Sequence, residues 1–360
     1  MFLAIRDLRF AKGRFALMAS VIALITLLLV MLSGLTAGLG NQSTSAIAGL
    51  PADQIVFGAP AGTPAKASFT ESEVTRDHVA AWSGQEGVSG VEVLGISQVR
   101  AQAAGTSGAP GGSANVAVFG GGSGLSAADD GTVVVGETLA ADLHLSRGSL
   151  LDVGGTELAV VDIVPDQWYS HTGVVWTSLD DWRQLARSGS ESVGTVLAVT
   201  FDAGSQVDVD AANAAAGSVS ATRDGSFQAL GSFKSENGSL VLMQAFLYGI
   251  SALVIVAFLT VWTVQRTRDI AVVKAMGGSA GYVLRDALGQ AAVVLAAGTI
   301  AGGGLGLAGG FFASRAAPFL LTPATTLVPM AGILLLGLGG AAVAVRGVTR
   351  VDPLLALGGN

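Results

Sequence analysis

Hydrophobic and polar positions fall into two regimes along the chain. Stretches without Asp, Glu, Lys or Arg run from Phe15 to about Leu39, from about Ser239 to Val264, between Asp286 and Arg315, and between Arg315 and Arg346. Each is rich in Leu, Val, Ile and Ala and is as long as the ~20 helical residues a bilayer core requires. The pattern predicts four membrane-spanning helices. The first run also exceeds the 7–15 residues of a secretory leader's apolar region, so it reads as a retained helix.

The long segment between the first two spans follows other periods. Thr132 to Val135 predicts a strand and Glu137 to Leu145 a short helix. Leu150 to Val153 and Glu157 to Val164 predict a hairpin around Gly154-Gly155, a two-residue turn that needs positive φ. Val174 to Trp176 predicts a further strand and Leu179 to Ala186 a helix. Residues 103–124, crowded with Gly, Ala and Ser, predict a flexible loop. The fold class is thus a membrane protein of four transmembrane α-helices with a large α+β extracytoplasmic domain inserted between helices 1 and 2. The boundaries are 1–39 for the N-terminal segment and helix 1, 40–238 for the inserted domain, 239–264 for helix 2 and 265–281 for a connecting segment. Helix 3 takes 282–310, an external loop 311–326, helix 4 327–346 and a tail 347–360.

Composition agrees. Only 12% of the residues are charged and mean hydropathy is +0.61, against about 25% charge in soluble domains. A net charge of −7 excludes a nucleic-acid binder. The absence of Cys removes disulfide frameworks, thiolate metal sites and cysteine nucleophiles.

The placement of charge gives the topology. Arg6, Arg9, Lys12, Arg14, Arg266, Arg268, Lys274, Arg285, Arg346 and Arg350 lie in the N-terminal segment, the 265–286 connection and the tail, against Asp7, Asp269, Asp286 and Asp352. The remainder is strongly acidic. Short basic segments stay in the cytoplasm, so both termini are expected inside and residues 40–238 outside, in the plasma membrane.

Gly298, Gly302, Gly306 and Gly310 recur at i+4 in the third span and predict a helix-packing face. Gly304 to Gly309 also matches G-x-G-x-x-G, but a membrane span without a preceding strand is no dinucleotide site. There is no G-x-x-x-x-G-K-[ST], so the chain is not expected to hydrolyse ATP. Asp129-Asp130 and Asp180-Asp181 read as solvated turns or helix N-termini. No Ser-x-x-Lys or H-E-x-x-H appears, and neither a catalytic nor a metal site is expected.

The segment Gln265-Arg266-Thr267-Arg268-Asp269-Ile270-Ala271-Val272-Val273-Lys274-Ala275-Met276-Gly277-Gly278-Ser279 is a charged stem, an apolar turn and a Gly-Gly stop, with Ser279 placed to cap the next helix. It resembles the R-x-R-E-I-x-x-x-[RK]-A-x-G-A-[ST] segment of FtsX/MacB-type (type VII) ABC transporter permeases. Asp352-Pro353-Leu354-Leu355-Ala356-Leu357 resembles that family's D-P-x-x-A-L terminus, and Ala4 to Arg9 its opening. Asp269 for Glu, Lys274 for Arg and the Gly358-Gly359-Asn360 ending depart from the pattern. Within the family the chain looks most like the haem-export permeases of Gram-positive bacteria.

The resemblance implies a permease subunit of an efflux system with no intrinsic cofactor, working as a homodimer in the lipid bilayer. A separate P-loop ATPase subunit, two per complex, would bind ATP. Arg266, Arg268, Asp269, Ile270, Lys274, Ala275, Met276 and Gly277 would receive the ATPase's motion. Haem is the leading transported substrate; a lipid, lipoprotein or peptide exporter, or a scaffold that activates an external partner without transport, would share the motifs.

Haem needs an apolar slot, an axial donor such as His, Met or Tyr, and partners for its propionates. His78, His144 and His171 all fall in the inserted domain and read as surface or satisfied side chains. Met31, Met243 and Tyr248 share the outer halves of their spans, with Glu236 and Asn237 just above. Met243, Phe246, Leu247 and Ile250 follow i, i+3, i+4, i+7, so this stripe is either a packing face or a ligand face.

Overall fold

The computed structural model describes residues 12–60, 62–103, 112–186, 191–265, 272, 276 and 279–349. The chain divides into two units, one formed by residues 1–39 and 238–360 and the other by Gly40–Asn237. Their boundaries fall inside two unbroken helices, α1 (Lys12–Ala48) and α6 (Gly231–Gln265).

The first unit is helical. Its α1 and α6 segments pack with α7 (Ala280–Ala313) and α8 (Pro323–Thr349), and all four helices are long and apolar enough to cross a membrane. Ser279 caps α7 by accepting from the N–H of Tyr282 at 3.2 Å. Pro323 opens α8, where its missing N–H costs nothing, and Thr322 Oγ1 accepts from the N–H of Thr325. Met18, Ile22, Leu29, Ile255, Leu295 and Ile333 form the buried core.

The second unit is built on a mixed sheet. Strands β1 (Gln54–Phe57), β3 (Val88–Ala103), β11 (Val196–Phe201) and β12 (Val219–Thr222) run in the order β12-β1-β11-β3, all antiparallel. The path continues through β4 (Ser113–Gly121), β9 (Thr172–Ser178), β5 (Thr132–Gly136), β7 (Thr156–Val164) and β6 (Leu150–Val153). Pairs β4–β9 and β5–β7 are parallel. The last three residues of β3 also pair with β6, Ala101 opposite Val153. This contact closes β3-β4-β9-β5-β7-β6 into a ring and removes two exposed edges. A two-residue strand β2 (Val74–Thr75) pairs with β10 (Ser192–Gly194), and β8 (Trp168–Tyr169) pairs with β9.

Val116, Val118, Val133, Leu151, Leu158 and Val175 fill the ring's core. Trp182, on α4 (Leu179–Ala186), covers it with its Nε1–H donating to Ser97 Oγ at 2.9 Å. Short helices α2 (Arg76–Ser83), α3 (Glu137–Asp142) and α5 (Val209–Ala216) complete the unit. The Gly154-Gly155 turn has φ of 60° and 94°, as its hairpin requires.

One expectation is corrected. Part of the 103–124 loop is a strand, β4, with its last six residues buried. Its glycines make room rather than slack: a side-chain carbon at Gly120, or at Gly95 on β3, would lie 2.1 Å from Trp182. Asp180 and Asp181 take the helix N-terminus of their two readings, in the first turn of α4, and Asp181 is not solvated. It is buried at the start of α4 and accepts from Gly131 N–H at 2.7 Å and from the Thr177 hydroxyl at 3.3 Å.

Candidate functional site

Within the helical unit, small residues set how closely the helices approach. A Cβ added at Gly298 would lie 2.8 Å from Ala19 O, at Gly302 2.2 Å from Ala23 O, and at Gly306 2.8 Å from Val30. The backbone of α7 therefore lies directly against α1 along this face. Gly310, the fourth in the series, faces Phe319 and Leu321 instead. Phe319 is also held by Gly34 on α1, and the N–H of Leu320 donates to Gly34 O at 3.0 Å. The same seam buries the hydroxyls of Thr26 and Thr299 without a hydrogen-bond partner.

The side chains expected to meet a ligand have different surroundings. Met31 packs its sulfur 3.3 Å from a Cβ position at Gly309. Tyr248 lies over Gly332 of α8, so closely that a Cβ there would be 2.8 Å from its ring. Gln244 Nε2 donates to Thr36 Oγ1 at 2.9 Å, a side-chain bond between α6 and α1 that the sequence reading missed. With Gln244 turned to α1 and Tyr248 to α8, Met243, Phe246 and Ile250 are left exposed, whereas Leu247 packs on the core. Met243 and Phe246 are thus the two of the set whose side chains are exposed.

A cavity of about 230 Å³ lies between α1 and α6, lined by Phe15, Leu17, Phe258, Val261, Trp262 and Gln265. The Phe15 and Trp262 rings meet edge to face at 6.0 Å. Its signal in the sequence was the pair of aromatics at the same end of two spans, which the ligand search in the other half passed over.

In the inserted domain, Glu236 is engaged: its Oε2 lies 2.8 Å from His171 Nε2, which is also 3.1 Å from Ser43 Oγ. Asn237 is partly buried on the same helix. His78 is buried, its Nδ1 accepting from the Thr75 N–H at 3.0 Å across the first turn of α2. Burial lowers the His78 pKa, a trend the Asp77 carboxylate opposes. His144 follows α3 at positive φ. Burial pushes the Tyr169 phenol well above its usual range, and the ring sits edge to face with Phe69 and Phe119. Among the described residues no group of three or more His, Asp or Glu stands where it could hold a metal.

The connection after α6 is only touched. Arg266, Arg268, Asp269, Ile270, Lys274, Ala275 and Gly277, together with the terminal segments that resemble the family, lie outside the described residues. Met276 is exposed, and its N–H donates to Val272 O at 3.0 Å.

The MacB-like periplasmic core domain matches residues 15–219, and the FtsX-like permease C-terminal domain matches residues 241–353. A putative hemin transport system permease protein HrtB of Staphylococcus epidermidis is 24% identical over 368 residues, covering 99% of both chains. An uncharacterized ABC transporter permease of Mycobacterium tuberculosis is 25% identical over 377 residues, covering 100% of this chain and 99% of its own. Among solved structures, the periplasmic region of MacB from Actinobacillus actinomycetemcomitans aligns at 10% identity and a TM-score of 0.36, over 48% of this chain and 90% of its own. Both domain matches and both full-length relatives lead to one assignment: this chain belongs to the MacB/FtsX-type family of ABC transporter permeases, membrane proteins with a large extracytoplasmic domain between their first two apolar helices.

Proposed function

We propose that the chain is the membrane subunit of an ABC-type efflux system that expels haem, working as a homodimer with two copies of a separate P-loop ATPase. The observation that carries the substrate is the staphylococcal relative named for hemin transport, similar over essentially the whole chain rather than in one domain. Charge supports the orientation: the basic termini and the basic 265–286 connection face the cytoplasm, where the ATPase is.

In this reading Arg266 to Gly277 receive the ATPase's motion. The continuous helices α1 and α6 carry it outward. The second copy has a surface to meet, because α6 leaves Leu242, Met243, Phe246, Ile250 and Leu253 uncovered by the other described helices. A planar, apolar substrate would lie against that stripe, with Met243 offering a soft axial donor and Phe246 a ring face. Met31 and Tyr248 border it from their packed positions.

The test is spectroscopic. Purified protein is expected to shift the haem Soret band at micromolar haem, and Met243→Ala is expected to weaken the shift. No shift at those concentrations overturns haem as substrate and leaves a lipid, lipoprotein or peptide exporter, or a scaffold stimulated by an external partner protein.

A further inference from the structure

The β8–β9 hairpin turns through Ser170 and His171, with φ of 48° and 62°. Such a two-residue turn suits the twist of an antiparallel pair but is ordinarily built from Asn and Gly. Two residues with side chains occupy it here, and both side chains are in use.

The contacts to the two flanking helices differ in kind. Toward α1 two run main chain to main chain, Ser170 N–H donating to Ser43 O at 3.1 Å and His171 N–H to Gln42 O at 2.9 Å, and the Ser43 hydroxyl adds a side-chain contact 3.1 Å from His171 Nε2. Trp168 N–H adds a bond to Ser45 Oγ at 2.9 Å. Toward α6 they join side chains. Ser170 Oγ lies 3.2 Å from Ser232 Oγ, and His171 Nε2 lies 2.8 Å from Glu236 Oε2. Ser232 and Glu236 are one turn apart and share a face of α6. His171 and Glu236 keep 30% and 44% of their side-chain surface in solvent, so water can replace their bond when the helices separate. A main-chain bond cannot be released by a rotamer change; a side-chain bond can.

We propose that the Ser170–His171 turn is a one-sided latch: it stays with α1 through the transport cycle, while Ser232 and Glu236 of α6 let go of it and re-engage. Ser170 and His171 are then positioning residues for the cycle, acting through α6 rather than on the substrate. This rests on the permease reading above, in which motion enters along α1 and α6.

The chain has no native Cys, so a Ser170→Cys/Ser232→Cys pair reports without background. The two hydroxyls are near enough for a disulfide to span with small side-chain adjustment. The double variant is reconstituted with its partner ATPase and driven with ATP, before and after oxidation by copper phenanthroline. The reduced pair is expected to export within about twofold of the parent. Oxidation is expected to cut export at least tenfold, and dithiothreitol to restore it. Cross-linking should fall severalfold when the ATPase is trapped with vanadate, a change that a static brace would not show.

Equal export by the oxidised and reduced pairs, at high cross-linking yield, overturns the latch and leaves the permease reading standing. Failure of the parent and the reduced pair alike to export with ATP overturns the permease reading and the latch with it. As a second variant, Glu236→Gln keeps a hydrogen-bonding side chain and is expected to keep the nucleotide-dependent change in cross-linking, whereas Glu236→Ala is expected to lose it. Identical behaviour of the two also overturns the latch.

Discussion

A side-chain carbon at Gly302 would sit 2.2 Å from the carbonyl oxygen of Ala23, so α7 and α1 meet backbone to backbone at that point. Neither partner is the movable end of a flexible side chain, and enlarging Gly302 must push the helices apart. Gly302→Leu is expected to destabilise the helical unit by about 1–3 kcal/mol or more, the usual cost of overpacking a core. Gly304 has nothing within 4 Å of its Cβ position, and Gly304→Ala should be neutral or slightly stabilising. Thermal unfolding in detergent compares the two. Equal melting temperatures for both variants would show that the seam carries no packing constraint.

On the same seam, Thr26 and Thr299 bury hydroxyls without partners. An unpaired buried hydroxyl costs roughly 1–3 kcal/mol, so Thr26→Val is expected to hold or raise the melting temperature. A clear fall would mean that the hydroxyl has a partner.

In the inserted domain, Gly95 and Gly120 exist to admit Trp182. Trp182→Ala should cost about 3–5 kcal/mol, as large-to-small changes of buried aromatics do. Gly120→Val should also destabilise, since its Cβ would overlap the Trp182 side chain. Near-UV circular dichroism and thermal melts of the full chain read both, and an unchanged melt for either variant would contradict this packing.

The pH dependence has a definite sign. Burial holds the His78 pKa below 6.5, so the folded state binds fewer protons there than the unfolded chain. Its contribution to stability is complete above pH 6.5 and is lost as pH falls through the lower folded value. The melting temperature should therefore fall from pH 7.5 toward pH 5, and His78→Asn should flatten that slope. Asp162 is depressed by the Ile163 N–H and then by Arg147. Its contribution is complete above pH 3.8 and lost only at still lower pH, so it does not confuse the upper window. A slope unchanged in His78→Asn would remove His78 as its source.

Much of this architecture was written plainly in the chain, and the reasons for the rest are physical. Membrane helices announce themselves because a bilayer tolerates almost no charge over twenty residues, and α6, α7 and α8 begin and end within about ten residues of the sequence expectation. The nine residues of α1 beyond Leu39 were not legible, because Asn41, Gln42, Ser43 and Thr44 are all polar, and the hairpin β8–β9 that binds Gln42, Ser43 and Ser45 lies far along the chain. Strand β4 was hidden for the opposite reason: its glycines signal flexibility locally, whereas Gly120 fits Trp182, more than sixty residues away. Closure of the ring by Ala101 and Val153, and the meeting of Ser43 with His171, join positions far apart in sequence that no local pattern connects. The exposed stripe of α6 was half legible. Spacing put Met243, Phe246 and Ile250 on one face, but the bond of Gln244 to Thr36 and the packing of Tyr248 on Gly332 decide that this face is open.

For the connection after α6, charge substitutions are the informative ones. Arg268→Ala, Asp269→Ala and Lys274→Ala are each expected to abolish substrate-stimulated ATPase activity at least tenfold while leaving membrane insertion intact. Wild-type stimulation in all three would sink the coupling role.

The central claim is tested most directly by reconstituting the chain in liposomes with its partner ATPase on the lumenal face, enclosing haem and caged ATP, and following haem release on photolysis. ATP-dependent release that disappears without the chain, and falls several-fold in Met243→Ala, is the predicted result. ATP hydrolysis that proceeds with no haem leaving the vesicles would contradict it.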